Sequence, residues 1–128
     1  MKIIIKLPPI TKKNSQQIFI NSRTGKPFVA PSRKYKEYEN AAKPFLYARC
    51  YSGGFPANVK CLFYMPTKRR VDLVNLLESA DDLLTKYWIV PDDSAQYIAG
   101  HDGSRVLYDE DNPRTEIYIS PLEDANGV

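Results

Sequence analysis

The sequence predicts a single α/β domain, α+β in layout, in which a mixed sheet of about five strands carries two main helices. The length of 128 residues suits one domain with its own core. Two long stretches have helical periodicity, and short alternating stretches lie around them. We expect the folded domain to span residues 1–120, followed by a loose tail over 121–128.

The first elements are a strand and a hairpin. The isoleucine-rich stretch from Lys2 to Leu7 predicts the first strand, which two prolines end. Gln17 to Ile20 and Lys26 to Val29 flank a turn that includes Gly25. This pattern predicts a β-hairpin.

The first helix and the strand after it have clear boundaries. Ser32 is the expected N-cap of a helix that reaches about Cys50. Pro44 lies inside this helix and should kink or divide it, because proline cannot donate the helical hydrogen bond. Asn58 to Met65 alternates apolar and polar residues, which predicts a half-buried strand.

The second half opens with the more strongly amphipathic helix. Apolar residues recur at helical spacing from Asp72 to about Tyr87. Ala95 to Ala99 predicts a short strand, His101 to Arg105 a turn, Asp109 to Pro113 an acidic turn, and Arg114 to Ile119 a last strand.

Charge is distributed unevenly along the chain. Residues 1–70 contain fifteen Lys and Arg and two acidic residues, a net charge of +13. Residues 71–128 contain three Lys and Arg and thirteen acidic residues, a net charge of −10. This asymmetry predicts a basic surface for a polyanion and a separate acidic cluster. The alternative is that the two parts interleave in the fold and neutralise one another.

Membrane and secreted classes are not indicated. No apolar run has bilayer-spanning length, and prolines interrupt the N-terminal MKIIIKLPP too early for a signal peptide. We therefore expect a cytoplasmic protein with no membrane partner. Cys50 and Cys61 have no metal-ligand neighbours, so buried thiols are the default expectation for both.

The stretch from Lys68 to Asp93 holds the candidate chemistry. Three consecutive cations run into an aspartate, an amphipathic helix follows, and two adjacent aspartates end the stretch. Metal-dependent phosphodiester cleavage needs carboxylate oxygens around a divalent cation and positive side chains on the phosphates. We predict catalysis by Asp72 and Asp93, ligation of Mg²⁺ (or Mn²⁺ as a substitute) by Asp72, Asp92 and Asp93, and DNA binding by Lys12, Lys13, Asn14, Lys68, Arg69, Arg70 and Asn75.

Each of these candidates has a purely structural alternative. Asp72 is a natural helix N-cap, and Asp92-Asp93 is a common turn pair. Asn75 shares a helix face with Asp72 and could hydrogen-bond locally. The cations before the helix could form a solvated strand end.

Other polar residues give weaker indications. His101 is the only histidine and is expected in a turn rather than as a general base. Asp102 is a possible further metal ligand, although Asp-Gly is foremost a turn pair. The acidic run 109–112 lacks the calcium-loop pattern and is expected to be solvated. No Gly-rich phosphate loop or GxSxG is present, so neither an NTPase nor a serine hydrolase is indicated.

The segment RRVDLVNLLESADDLLTKYWIVPDDSAQ resembles the RusA-type Holliday junction resolvases. The family signature is a basic run, D-L-D-N-L, a D-A-L-T-K-like helix end, an aromatic-rich exit and D-D. This chain has matching residues at the same spacing: Arg69-Arg70, Asp72-Leu73, Asn75-Leu76, Asp82, Leu84-Thr85-Lys86 and Asp92-Asp93. PPITKKNSQ and PRTEIYI are also similar to family segments, so the resemblance covers nearly the whole chain.

The resemblance implies a small, often prophage-encoded, homodimeric and Mg²⁺-dependent endonuclease that cuts four-way DNA junctions symmetrically in recombination and repair. It implies metal ligation by Asp72 and Asp93 and DNA contact by Arg69 and Arg70. Two positions depart from the family: its second D-x-D carboxylate falls on Val74, and its catalytic lysine falls on Glu78.

Three hypotheses follow. The first is a junction-resolving endonuclease, with Asp92, Asp102 or Glu78 as replacement ligands where the family pattern is broken. The second is a catalytically weakened protein that binds branched DNA selectively, which Val74 and Glu78 favour. The third is a protein-interaction role, in which the acidic half engages a basic partner.

Overall fold

The computed structural model describes residues 1–12, 16–31 and 33–122. Its elements, in chain order, are β1 (Lys2–Ile5), β2 (Gln16–Ile20), β3 (Pro27–Pro31), α1 (Arg33–Leu46), β4 (Ala57–Met65), α2 (Leu73–Lys86), β5 (Ile98–Gly100), β6 (Arg105–Tyr108) and β7 (Arg114–Pro121). No helix within the described ranges is both long enough and apolar enough to span a bilayer.

The main sheet is mixed and has five strands. Its order is β1-β7-β4-β5, and β6 pairs with the same strand β4 farther along. The pairs β1·β7 and β4·β7 are antiparallel, whereas β5 and β6 both run parallel to β4. Strands β2 and β3 form a separate two-stranded hairpin. The predicted single α+β domain with a mixed sheet and two main helices is confirmed.

Strand register separates an apolar face of the sheet from a polar one. Ile3, Ile117 and Cys61 lie opposite one another across three strands and are all buried. The buried faces of α1 and α2 join these residues in one core. The half-buried character predicted for β4 is therefore confirmed, because successive strand residues point to opposite faces.

The first helix differs from its prediction at both ends. It continues through Pro44 without dividing and ends at Leu46, four residues before the expected end. Pro44 lies in the last turn, so its missing N–H removes one helical hydrogen bond. Little helix follows it, and the helix is therefore not divided. Ala48 then adopts φ 62°, which turns the chain out of the helix. The predicted N-cap, Ser32, lies outside the described residues.

Strand β6 was not predicted. Val106 and Tyr108 are exposed, so the sequence shows no buried alternation there, and the strand forms by parallel pairing with the end of β4. At the other end of the domain, β7 includes Pro121, and the N–H of Leu122 donates to the carbonyl of Pro56 at 2.9 Å. Most of the predicted tail, residues 123–128, lies outside the described part of the chain.

The two cysteines lie in different environments. Both are free thiols, with Cys61 buried as expected and Cys50 exposed. Burial raises the pKa of the Cys61 thiol. Cys50 is exposed because α1 ends before it and the chain there runs over the surface.

Candidate acidic site and cationic surface

Asp72 precedes the first residue of α2 and has the extended backbone of an N-cap (φ −89°, ψ 125°). Its carbonyl accepts the first helical bond, from the N–H of Leu76 at 3.2 Å. Its carboxylate makes no capping hydrogen bond. Instead it accepts a long 3.4 Å bond from the Asn75 side-chain amide, which confirms that the two side chains share a face. The exposed carboxylate is therefore available to a ligand.

The other candidate carboxylate, Asp93, follows α2 and lies near enough to Asp82 for its charge to act on that residue. Burial raises the pKa of Asp82, Lys12 lowers it, and the charges of Asp93 and Glu78 raise it further. The charges of Asp93 and Glu78 both act on the Asp82 carboxylate, and we call these three residues the acidic cluster. Asp72 lies about 15 Å from Asp82 along the helix axis, because ten residues of helix rise 1.5 Å each.

The two positions that depart from the family pattern are both exposed. Val74 is 72% exposed on the first turn of α2, where it offers no ligand atom. Glu78, one turn farther along, contributes its carboxylate to the acidic cluster. The chain therefore has an acid at a position where the resemblance predicts a lysine.

Asp92 lies in the irregular segment between α2 and β5, and the turn in this connection comes later, at residues 95–97. Hydrogen bonds from the backbone N–H of Asp93 and from the Ser94 hydroxyl hold the pKa of Asp92 below its usual value. Its carboxylate is exposed and remains accessible to a cation.

Lys12 connects the loop after β1 to α2. Its backbone N–H donates to the Ser79 hydroxyl at 2.9 Å, and its ammonium lies 3.7 Å from the Asp82 carboxylate. Ser79 is buried, so this backbone contact fixes the loop against the helix. The other predicted DNA-binding residues of this loop, Lys13 and Asn14, lie outside the described residues.

The cations Lys68, Arg69 and Arg70 are all exposed in the connection between β4 and α2. Lys68 lies over the Tyr108 ring, 5.2 Å from its centroid. Within the described ranges, no carboxylate lies at salt-bridge distance from any of the three. We call them the basic loop. Its arginines border an open, largely apolar cleft of about 670 Å³ between this connection and α1.

Direct pairing does not neutralise the two oppositely charged parts of the chain. Six salt bridges join described residues, and only Lys12–Asp82 pairs a cation from residues 1–70 with an acid from residues 71–128. The rest join residues within one part or pair Lys86 with Glu39. The basic loop and the acidic cluster thus remain separate charged surfaces, as one of the two sequence interpretations requires.

Oxygen ligands of the acidic cluster have the chemistry that Mg²⁺ prefers. Across the ranges 1–12, 16–31 and 33–122, however, no three His, Cys, Asp or Glu side chains are arranged to hold a metal ion. Mg²⁺ commonly binds through one or two carboxylates together with water and substrate phosphates. The residues therefore fit a metal that arrives with its phosphate substrate, and they do not form a complete protein cage.

His101 bridges the β5–β6 turn and α2. Its Nε2 lies 2.8 Å from Asp81 Oδ2, and this hydrogen bond raises the pKa of His101. The next two residues form the expected turn, in which Asp102 N–H donates to Asn58 Oδ1 at 2.7 Å and Gly103 adopts φ 86°. His101 thus has a structural partner, and its position in a connecting segment agrees with the prediction.

The acidic segment 109–112 is only partly solvated. Asp109 accepts a 2.9 Å bond from Arg114, whose guanidinium also bonds Glu116 at 2.7 Å and lies over the Tyr64 ring. Glu116 is buried and accepts from the Tyr118 hydroxyl at 2.7 Å. Expecting a wholly solvated turn was wrong for Asp109, because β7 brings Arg114 against it.

Sequence reasoning missed Asp82 as a member of the site and Ser79 as the residue that holds Lys12 beside it. Asp82 and Ser79 follow Asn75 at spacings of seven and four, so helical periodicity alone placed them on one polar face. Nothing in the sequence indicated that Lys12 and Asp93 would lie near this face, since Lys12 comes from a distant segment and Asp93 from beyond the end of the helix.

A scan against protein-family models finds no match for this chain, and a search of the curated proteins finds no relative.

Proposed function

We propose that the protein is a metal-dependent endonuclease that cuts four-way DNA junctions in the cytoplasm. One observation carries the proposal: the basic loop lies directly before α2, and the acidic cluster joins Glu78 and Asp82 of the same helix to Asp93 beyond its end. Phosphodiester cleavage uses both features, since cations hold the phosphates and carboxylates hold a divalent ion. The resemblance to RusA-type resolvases supplies the junction as substrate.

The roles of the residues follow from their positions. The basic loop binds the DNA backbone on both sides of the target phosphate, and its arginines orient phosphate oxygens through paired N–H groups. Asp93, Asp82 and Glu78 concentrate negative charge where a divalent cation can bind. Lys12 limits the repulsion within the cluster while no such ion is bound. When bound, Mg²⁺ activates water for attack and stabilises the charge on the leaving oxygen.

The β2–β3 hairpin supports the homodimer that two symmetric nicks require. Ile18, Ile20 and Val29 lie on one face of the hairpin and are 74%, 73% and 62% exposed. The opposite face carries Phe19 stacked on Phe28. A two-stranded ribbon is only marginally stable alone. We propose that the Ile18–Ile20–Val29 face packs against a second copy of the chain.

The second candidate is a protein that binds branched DNA selectively but cuts it poorly. The exposed Val74 and the incomplete set of metal ligands favour it. It needs only the basic loop and the dimer, so it predicts tight junction binding that is independent of divalent ions.

Cleavage of a labelled four-way junction tests the proposal. Wild type, Asp93→Asn, Asp82→Asn and Asp72→Asn would each be incubated with Mg²⁺, Mn²⁺ or EDTA, beside a linear duplex of matched sequence. We expect paired symmetric nicks in wild type and a loss of about 100-fold in Asp93→Asn and Asp82→Asn, because both lose charge that stabilises the transition state.

Asp72→Asn tests whether the ion binds beside Asp72, as the sequence predicts, or at the acidic cluster. A loss as large as that of Asp93→Asn would place the ion toward the start of α2, and little loss would place it at the acidic cluster. Asp111→Asn serves as the matched control, because Asp111 is exposed in the acidic segment 109–112 and belongs to no proposed site. Metal-independent junction binding without nicks in any metal would overturn the nuclease proposal in favour of the binder.

A further inference from the structure

Trp88 occupies a backbone position that suits glycine. It follows the C-cap of α2 and adopts φ 60°. The chain reverses there, with Ile89 N–H donating to the Leu84 carbonyl at 2.9 Å. At this position of a helix C-terminus glycine is usual, because a Cβ atom crowds the left-handed conformation. An indole side chain is therefore conformationally unfavourable at residue 88.

Burial does not offset this cost, since Trp88 is 76% exposed. It is also the only tryptophan in the chain. Strained conformations that packing does not explain are concentrated at functional positions. Neither the local backbone nor the core accounts for the indole, so its position favours contact with a ligand.

The surroundings of Trp88 are aromatic and cationic. It borders an open cavity of about 550 Å³ at the C-terminal ends of both helices, together with Tyr47, which is 66% exposed. The cavity is also lined by Lys43, Arg49 and Lys86. Lys43 lies 5.3 Å from the centroid of the Tyr47 ring. We call this surface the aromatic platform, made of Lys43, Tyr47, Arg49, Lys86 and Trp88.

Only part of the platform's positive charge is neutralised. Lys86 lies 3.5 Å from Glu39, and the Arg49 guanidinium donates to the carbonyl of Lys2 at 2.8 Å. Lys43 has no carboxylate at salt-bridge distance within the described ranges. Exposed aromatic rings among cations complement a chain that presents flat bases and negative phosphates.

We propose that the aromatic platform binds single-stranded DNA, with one base stacked on Trp88 and the flanking phosphates near Lys43 and Arg49. Stacking on aromatic side chains beside a positive groove is how proteins bind unpaired strands without reading their sequence. An apolar protein partner would explain the indole but not the cations around it.

The platform is separate from the basic loop. The fourteen residues of α2 lie between them, which is about 21 Å of helix. A strand unpaired near a branch point could thus contact the platform while the duplex arm contacts the basic loop. Binding at the platform needs neither a divalent ion nor cleavage, so the inference goes beyond the proposed nuclease function and stands or falls separately from it.

Titration of the full chain with oligo(dT) of eight nucleotides in EDTA tests the proposal. Trp88 fluorescence reports on the site directly, because no other tryptophan contributes. We expect saturable quenching in wild type. By anisotropy of a labelled oligonucleotide, we expect Trp88→Gly to bind about 5- to 150-fold more weakly, the range that corresponds to about 1–3 kcal/mol for one base–aromatic stack.

The same substitution should raise Tm by about 3 °C, because glycine relieves the left-handed backbone. A rise in Tm together with a loss of DNA affinity would show that Trp88 contacts the ligand, because a residue with a packing role would lower Tm when it is removed. Trp88→Phe is the matched control, since it keeps both the ring and the backbone cost and should retain most of the affinity. Thr24→Ala, in the exposed hairpin turn, should change neither quantity.

Two results would overturn the proposal. One is saturating oligo(dT) that leaves Trp88 fluorescence unchanged. The other is Trp88→Gly that binds oligo(dT) as tightly as wild type; if that variant also changes the oligomeric mass, the platform is a protein interface. Junction cleavage failing in the same preparation would overturn only the nuclease proposal.

Discussion

Asp82 is the residue of the acidic cluster whose ionised form is made unfavourable by its surroundings. Burial and the charges of Asp93 and Glu78 raise its pKa, and Lys12 at 3.7 Å offsets part of that effect. An ionised carboxylate in this setting is destabilising to the free protein and favourable to any cation that binds. The acidic cluster is therefore expected to bind a cation more strongly than the same residues would on a fully solvated helix face.

The His101–Asp81 pair gives a pH-dependent contribution to stability. The Asp81 carboxylate raises the pKa of His101 above its usual 6.5, so the folded state holds this proton more tightly than the unfolded state. The stabilisation is fully present below pH about 6.5 and is lost as the pH rises through the raised pKa of the folded state. We expect the free energy of unfolding to fall over that window.

Urea unfolding at closely spaced pH values from 5 to 9 measures this contribution, with His101→Gln as the control. Glutamine keeps a hydrogen-bonding amide but does not titrate, so its stability curve should be flatter across the window. Parallel curves for the two proteins would show that the pair contributes no pH dependence.

At the scale of elements, the hairpin and the basic loop carry surfaces that the core does not need. Strands β2 and β3 pair with each other and not with the main sheet. The basic loop joins β4 to α2, so its cations are positioned by two well-packed elements while remaining exposed. Each surface can therefore be changed with little effect on the fold.

Charge on the hairpin face should dissociate the proposed dimer. Ile18→Asp with Ile20→Asp places two carboxylates where an apolar contact is expected, and burying unpaired charge is strongly unfavourable. We expect sedimentation velocity to give a dimer for wild type and a monomer for this variant. Thr24→Asp, in the exposed turn of the same hairpin, should remain dimeric. Equal masses for all three proteins would place the interface elsewhere.

Removing the basic loop cations should weaken DNA binding and its dependence on salt together. Each phosphate contact contributes about one unit to the slope of log K against log salt concentration. We therefore expect Lys68→Ala, Arg69→Ala and Arg70→Ala combined to reduce that slope by about 3. Lys36→Ala, on α1, should leave it almost unchanged. An unaltered slope in the triple variant would exclude the basic loop from DNA contact.

At the scale of the whole molecule, the proposed mechanism uses two sites related by the twofold axis of a dimer. Mixed dimers of wild type and Asp93→Asn contain one functional acidic cluster, so they should nick one strand of a junction and leave the other intact. Co-expression with two different affinity tags isolates such dimers. A denaturing gel, together with a native gel of the same sample, measures nicked and resolved junctions. Full resolution by mixed dimers would show that one subunit makes both cuts.

The sequence by itself determined the mixed α+β layout, the position of α2 and the separation of charge, because these follow from hydrophobic periodicity and composition. It also placed Asp72 and Asn75 on one face, since a spacing of three is fixed by helical geometry. Strand β6 was not predictable, because its pairing partner, β4, lies about 40 residues earlier in the chain.

Only the tertiary structure decided which charges meet. The loop after β1 brings Lys12 to Asp82, and the chain beyond α2 returns Asp93 toward the same residue. It likewise left Trp88 exposed in a left-handed backbone, which composition cannot show. Electrostatic contacts and exposure depend on residues far apart in sequence, whereas periodicity acts over a few residues. Both helices and most strands were therefore predictable, and the composition of the site was not.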